Sequence, residues 1–292
     1  MTIFEKITKA GSLLIINRKL FLKYLDYRVK RITPEWKNFK PPQFKKINGI
    51  LFEIDLNQPG LNFYIKQIFF DYYEMSLVEV MKKTLKQGDV FLDVGAHIGY
   101  LSAIGASLVG KSGQVHSFEP VPEYFQFLKN LSKINQEYKI IVNNHALGEK
   151  SGITKIDCPG PLHGGGSTLV PGLLDINNIP KAKTINVQVL RLDSYIEENK
   201  LEKISLIKID VEGFEFPVLK GLENYFKENN HRPIIICEIV PEAYLLLGYS
   251  QNQLLEYMGK YGYFAFNILN PRLRVDVTKF KSGAEVVFKT LK

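Results

Sequence analysis

From Val90 to Tyr261 the chain alternates short, largely apolar runs with amphipathic stretches. Val90–Val94, Gln114–Phe118, Lys139–Asn144, Leu206–Asp210 and Ile234–Glu238 read as strands. Tyr100–Leu108, Pro122–Asn135, Phe214–Asn229 and Asn252–Tyr261 read as helices. Strands that are apolar along their whole length need cover on both faces. The rhythm therefore predicts a doubly wound α/β fold with a parallel sheet between two layers of helices. Residues 263–268 and 285–289 supply two last strands. Ligands of such sheets sit beyond the carboxyl ends of the strands, so the residues at those ends carry the functional reading.

The segment before this rhythm reads differently. Clustered apolar residues among basic ones over residues 3–31 predict one or two amphipathic helices. Thr33-Pro34 and Pro41-Pro42 then mark 32–46 as a linker. Ile50–Leu56 and Leu61–Phe70 are β-rich and flank Asn57-Gln58-Pro59-Gly60, which predicts a hairpin. A helix follows over Met75–Lys86 and ends at Gly88. Residues 145–190 interrupt the α/β pattern and read as a long irregular loop of the kind that forms lids and binding sites.

Three motifs fall at strand ends. The first is Phe91-Leu92-Asp93-Val94-Gly95-Ala96-His97-Ile98-Gly99, an apolar strand ending in an acid and a glycine turn that opens a helix. Glycines admit a ligand close to the backbone, and the helix start favours a negative group. A pyrophosphate loop needs G-x-G-x-x-G, but His97 stands where its middle glycine would be, and G-x-x-x-x-G-K-S/T is absent. A donor with a small anionic group and no pyrophosphate fits better. S-adenosylmethionine (SAM) is such a donor, with Asp93 placed to hold its ammonium. The second motif is Ser117-Phe118-Glu119-Pro120. Glu119 is suited to two ribose hydroxyls, Phe118 to flanking adenine, and Pro120 to the entry of the next helix. The third is Leu206–Glu215, where Asp210 and Glu212 end a buried strand beside Gly213, the place where donor and acceptor meet.

These motifs, Asp93-Val94-Gly95-Ala96-x-x-Gly99, Phe118-Glu119-Pro120, Leu192-Asp193-Ser194-Tyr195 and Lys208-Ile209-Asp210-Val211-Glu212-Gly213-Phe214-Glu215, occur in an order and spacing that resemble the FkbM family of SAM-dependent methyltransferases. The resemblance covers roughly residues 48–270. It implies a class I methyltransferase (Rossmann-like) fold, with a seven-stranded, mostly parallel sheet whose last strand is antiparallel. It also implies O-methylation of a sugar hydroxyl or a natural product. By the same resemblance Asp93, Gly95 and Gly99, with Ala96 and His97, form the donor loop. Glu119 binds ribose, and Asp210 and Glu212 face the reaction. The sequence departs at His97, where the family usually has Asn.

Further candidates come from the 145–190 stretch and its borders. Ala146 and Leu147 follow the third strand and line the expected adenine pocket. His163, beside three glycines, is a candidate general base. Ser167 and Thr168 are candidate acceptor contacts. Glu238 marks the cleft wall, and no metal is expected from Asp210 and Glu238 without a third oxygen ligand.

Charge divides the chain. The 292 residues carry a net +8, but residues 1–48 hold 12 Lys+Arg against 3 Asp+Glu, leaving the rest nearly neutral. We expect a basic extension, 1–48, that packs on the body, self-associates or meets a membrane surface, and a methyltransferase domain, 49–292. Nucleic acid is a disfavoured partner. The two cysteines and the lack of a long apolar run or leader pattern point to a cytoplasmic protein, peripheral to a membrane at most. The expected function is O-methylation of a sugar, glycan or glycosylated natural product. The rivals are N-methylation of an amine or protein, an NAD-dependent oxidoreductase, and a non-catalytic scaffold that recruits a membrane or partner.

Overall fold

The structure, a computed structural model, describes residues 18–40, 42–53, 62–160 and 165–291. It begins with helix α1 (Arg18–Lys30) and the short helix α2 (Pro34–Asn38), which Thr33 caps by accepting from the Trp36 amide. Strands β1 (Phe44–Ile47) and β2 (Ile50–Glu53) form a hairpin, with Ile47 paired to Ile50. Its turn is Asn48-Gly49, both at positive φ (47° and 104°), as a type I′ turn requires. The expected hairpin is therefore corrected. Its predicted turn lies outside the described residues, and its predicted second arm is helix α3 (Asn62–Phe69). Ile65 and Ile68 are buried there at helical spacing, so tertiary packing overrides their β preference. The expected linker likewise holds α2 and the start of β1.

Helix α4 (Met75–Thr84) leads into the predicted rhythm: β3 (Val90–Val94), α5 (Tyr100–Val109), β4 (Gln114–Phe118), α6 (Pro122–Ile134) and β5 (Lys139–Asn143). A side sheet follows, built from β6 (Ala146–Leu147), β7 (Gly152–Pro159) and β8 (Lys181–Leu190), with the short helix α7 (Leu173–Ile176) between the last two. The stretch expected to be irregular thus holds three strands and a short helix among its described residues. Strands β7 and β8 pair antiparallel, and Val187 and Val189 of β8 turn inward onto Ile156, Cys158 and Ala146. The chain then runs through α8 (Leu192–Glu198), β9 (Ile204–Ile209), α9 (Glu215–Lys220) and α10 (Glu223–Glu228). Gly221-Leu222 splits what the sequence reads as one helix into these last two. It ends with β10 (Ile234–Ile239), α11 (Pro241–Leu246), α12 (Gln251–Lys260), β11 (Tyr263–Asn267) and β12 (Ala284–Thr290).

The main sheet has seven strands in the order β11-β12-β10-β9-β3-β4-β5. The pairs from β10 through β5 are parallel, and β12 runs antiparallel to both its neighbours. The last strand being antiparallel is the class I methyltransferase arrangement. The period-2 alternation splits the sheet's side chains between two cores. Leu92, Ile207, Ile235 and Phe288 pack with the helices from α8 onward. Phe91, Leu206, Ile236 and Val287 pack with α3, α4, α5 and the hairpin. Strand order reverses at β3, between β4 and β9, which opens a crevice at their carboxyl ends.

Candidate active site

The crevice is a cleft of about 780 Å³ including its open mouth, a size suited to a small-molecule ligand. Its floor is the turn after β3. The amides of Gly95 and Ala96 donate to the Phe118 carbonyl, and the Lys208 ammonium donates to the Gly95 carbonyl at 2.6 Å. The turn is pinned between β4 and β9. A Cβ on Gly95 (φ 77°) would sit 1.8 Å from the Asp210 carbonyl oxygen, so only glycine fits. Gly99 lies deeper, where a side chain would strike Leu128 of α6. It sets the packing of the helix and does not line the cleft.

Glu119 lines the cleft at the end of β4. One carboxylate oxygen accepts from the His97 amide and the other from the Val121 amide, each at 2.9 Å. Each oxygen keeps a lone pair for a ligand. Burial raises its pKa to about 7, against the lowering effect of those two amides. Phe118, Pro120, Ala146 and Leu147 line the same wall.

Asp210 and Glu212 close the opposite side. Asp210 faces Lys208 at 3.5 Å. Glu212 stands in a left-handed turn (φ 55°) whose carbonyl accepts from the Thr168 hydroxyl at 2.6 Å. Its carboxyl is pushed well above the usual range by burial, then by Asp210 and Glu215. Glu215, fully buried, accepts from the amides of Val211 and Gly213 and so holds this turn in shape. Burial raises its pKa to about 7.

Several expected contacts lie elsewhere. Asp93 is fully buried beneath the turn, where it accepts from Ser102 at 2.6 Å and faces Lys208 at 3.5 Å. The structure places it as a brace for the turn, outside the cleft lining. Ala96 backs the turn beside a small adjoining hollow. Ser167 lines the cleft, but Thr168 is buried and tied to the Glu212 carbonyl. Glu238 sits outside the lining, paired in register with Glu285 of β12. His163 lies outside the described residues.

His97 lines the cleft with its ring edge-on to Tyr124, centroids 4.2 Å apart. Its Nε2 is buried without a hydrogen-bond partner. Burial, then Lys208, lower its pKa to about 4, so the imidazole is neutral at physiological pH. Sequence reasoning missed Tyr64, Tyr73 and Tyr124 as lining residues. They come from α3, the 70–74 turn and α6, and nothing local in the sequence marks them. Among the described residues no cluster of His, Cys, Asp and Glu is arranged to hold a metal ion, and no helix is long and apolar enough to cross a membrane.

Residues 93–265, from Asp93 of the first strand-end motif through the other two, match the family model of the methyltransferase FkbM domain. The chain belongs to the FkbM methyltransferase family. This methyltransferase is 25% identical over 166 residues to the hexuronic acid methyltransferase AglP of Haloferax volcanii, a match covering 57% of this chain and 62% of that one. It is 28% identical over 162 residues to the 31-O-demethyl-FK506 methyltransferase FkbM of Streptomyces tacrolimicus, covering 48% and 62%. The match thus spans less than two thirds of either relative. Among solved structures, the FkbM methyltransferase from Methylobacillus flagellatus aligns at 16% identity and a TM-score of 0.40, over 78% of this chain and 55% of that one.

Proposed function

We propose that this methyltransferase takes its methyl group from SAM and transfers it to a hydroxyl of a sugar. The observation that carries this reading is the convergence of the Gly95 turn, Glu119, Asp210 and Glu212 on one cleft. The residues present fit the donor. Carboxylates answer its positive charge. Phe118, Ala146, Leu147 and Ile156 offer an apolar wall for adenine, and the unpartnered His97 Nε2 offers a further polar contact. SAM, when bound, supplies an electrophilic methyl on a sulfonium. Glu119 holds the ribose hydroxyls through its free lone pairs, and the Gly95 turn lets the donor's tail approach the backbone. Asp210 and Glu212 take the proton of the acceptor hydroxyl. A carboxyl whose pKa is raised by burial is a competent base near neutral pH.

A hydroxyl needs such a base, whereas a neutral amine attacks without one, and this favours oxygen as the acceptor atom. The printed name of the Haloferax relative, a hexuronic acid methyltransferase, supports a sugar. We assign the catalytic body to 49–292 and the basic extension to 1–48. The unpaired, buried Cys158 and Cys237 support a reducing compartment such as the cytoplasm.

Isothermal titration with SAM tests the donor. We expect saturable binding of the wild type and at least about tenfold weaker binding of Glu119→Ala, the loss of a charge-assisted contact. No binding at millimolar SAM would overturn the reading, and unchanged affinity in the variant would remove Glu119 from the site. Mass spectrometry of uronic acid glycosides incubated with enzyme and SAM tests the acceptor, with a gain of one methylene expected.

A further inference from the structure

Helix α1 is apolar on two sides. Its inner side is anchored: Leu20 is buried, Tyr27 packs on Tyr72 and Trp36 with centroids 5.1 and 5.8 Å apart, and the Tyr72 hydroxyl donates to Asp26. Its outer side carries Leu22, Leu25 and Val29, with Ile32 just beyond its end, spaced as one helical stripe. These four are 54%, 42%, 61% and 71% exposed. A continuous aliphatic stripe left in water marks a contact surface.

The stripe meets a basic groove. Arg18, one turn before Leu22 on the same helix face, lines it together with Lys83, Arg272 and Lys289 over a floor that includes Val80 and Val287. No carboxylate lines the groove. Among the described residues none of the four cations forms an ion pair. Lys289 is held by the Phe266 ring at 4.5 Å.

We propose that this face docks the protein on an anionic lipid bilayer. The four aliphatic side chains enter the boundary between headgroups and acyl chains, and the groove cations hold lipid phosphates. Charge selects this occupant. A second copy would bring the same positive groove, with its four cations and no lining carboxylate, against this one. A nucleic acid would satisfy the cations, but it would leave the aliphatic stripe in water, because such surfaces recognise bases by aromatic stacking. The bilayer satisfies both. The docked helix is also close to the chemistry, since Tyr72 holds α1 and the next residue, Tyr73, lines the cleft.

Co-sedimentation of the full chain with vesicles tests the proposal. Binding is expected to phosphatidylcholine vesicles holding about one third phosphatidylserine, not to phosphatidylcholine alone, and to weaken with salt. Lys83→Gln and Arg272→Gln should each weaken it about fivefold. Leu25→Ser combined with Val29→Ser should weaken it by more than about tenfold. All four positions are exposed, and an unchanged thermal midpoint confirms that the variants fold. Equal binding to both vesicles, or wild-type binding by the Leu25/Val29 variant, overturns the proposal. So does a dimer in sedimentation velocity that Val29→Glu dissociates, or capture of an RNA oligonucleotide that depends on the same stripe.

Discussion

Two regions of this chain carry unbalanced charge of opposite sign, and they handle it differently. Beside the cleft, Asp93, Asp210, Glu74, Glu212 and Glu285 act electrostatically on the buried ammonium of Lys208, and Glu215 and Glu238 add to the acidic cluster around Asp210. Burial and mutual repulsion push Glu74, Glu212, Glu238 and Glu285 upward, which favours their protonated forms until a cationic ligand shifts them toward the ionised forms. On and around α1, Arg18, Lys19, Arg28, Arg31, Lys83 and Arg272 are exposed to solvent. Unbalanced charge in a buried site is neutralised by protonation until a ligand of opposite sign arrives. At a surface it persists and acts through the solvent. The cleft should therefore respond to pH, and the helix to salt.

The largest expected effect breaks the cleft's internal balance. The Lys208 ammonium lies 3.5 Å from both Asp93 and Asp210 and donates to the Gly95 carbonyl. Burial works to lower its pKa, but Asp210 and Asp93 more than offset that and keep it charged. Lys208→Met leaves Asp93 buried without its cation and should cost about 3–5 kcal/mol of stability. Urea unfolding measures this as a lower midpoint with an unchanged slope. A loss below about 1 kcal/mol would mean that the carboxylates balance themselves by protonation alone.

Next in size is Gly95→Ala. The new methyl must displace the Asp210 carbonyl, 1.8 Å away, and adopt a φ of 77°. That strain is worth about 1–3 kcal/mol. We expect it to appear as at least about tenfold weaker SAM binding, since the turn and Asp210 both line the cleft. Unchanged affinity would place the donor away from this turn.

The residues legible in the sequence share one property: their local context states their role. Gly95, Glu119, Asp210 and Glu212 each follow a largely apolar strand, and topology alone brings such ends together. The hairpin was also legible, in Asn48-Gly49, but Pro59-Gly60 and the β-branched run around Ile65 and Ile68 gave a competing signal. The side sheet could have been read from the alternation of Ile185, Val187 and Val189 with Asn186 and Gln188. Its glycine and lysine neighbours hide that pattern. Tyr64, Tyr73 and Tyr124 were not legible, because they reach the cleft from three separate elements. Asp93 shows the converse: its motif marks it as a ligand contact, and only the structure reveals Ser102 and Lys208 holding it beneath the turn.

A smaller effect separates the two regions directly. Glu119 and Glu215 have ordinary values of 4.5 and are raised to about 7 in the fold. Between those values the native state holds more protons than the unfolded chain. Stability of the free protein should therefore fall as pH rises from about 5 to 8. A donor with net positive charge favours the ionised carboxylates, so SAM should bind more tightly at pH 8 than at pH 6. The thermal shift it produces should grow over the same range. Vesicle binding through α1 should depend far less on pH there, because no carboxylate lines its groove, but it should fall steeply with salt. Titrations at matched pH and salt give all four slopes. A pH-independent SAM affinity would show that the carboxylates are already ionised and that the cleft behaves like the helix.

The smallest expected effect comes from His97→Asn. His97 is held neutral, its pKa lowered to about 4 chiefly by burial, so it adds nothing to the cleft's charge. Asn tolerates the φ of 51° at this position and keeps the amide that donates to Glu119. What is lost is the edge-on contact with Tyr124, about 0.5–1.5 kcal/mol of stability. If charge alone sets the cleft's preference for a cation, SAM affinity should change by no more than about threefold, with the same pH slope. A loss beyond about tenfold would mean that the unpartnered Nε2 bonds the ligand directly. The cleft would then select its donor by a neutral hydrogen bond as well as by sign, which the solvated cations around α1 cannot do.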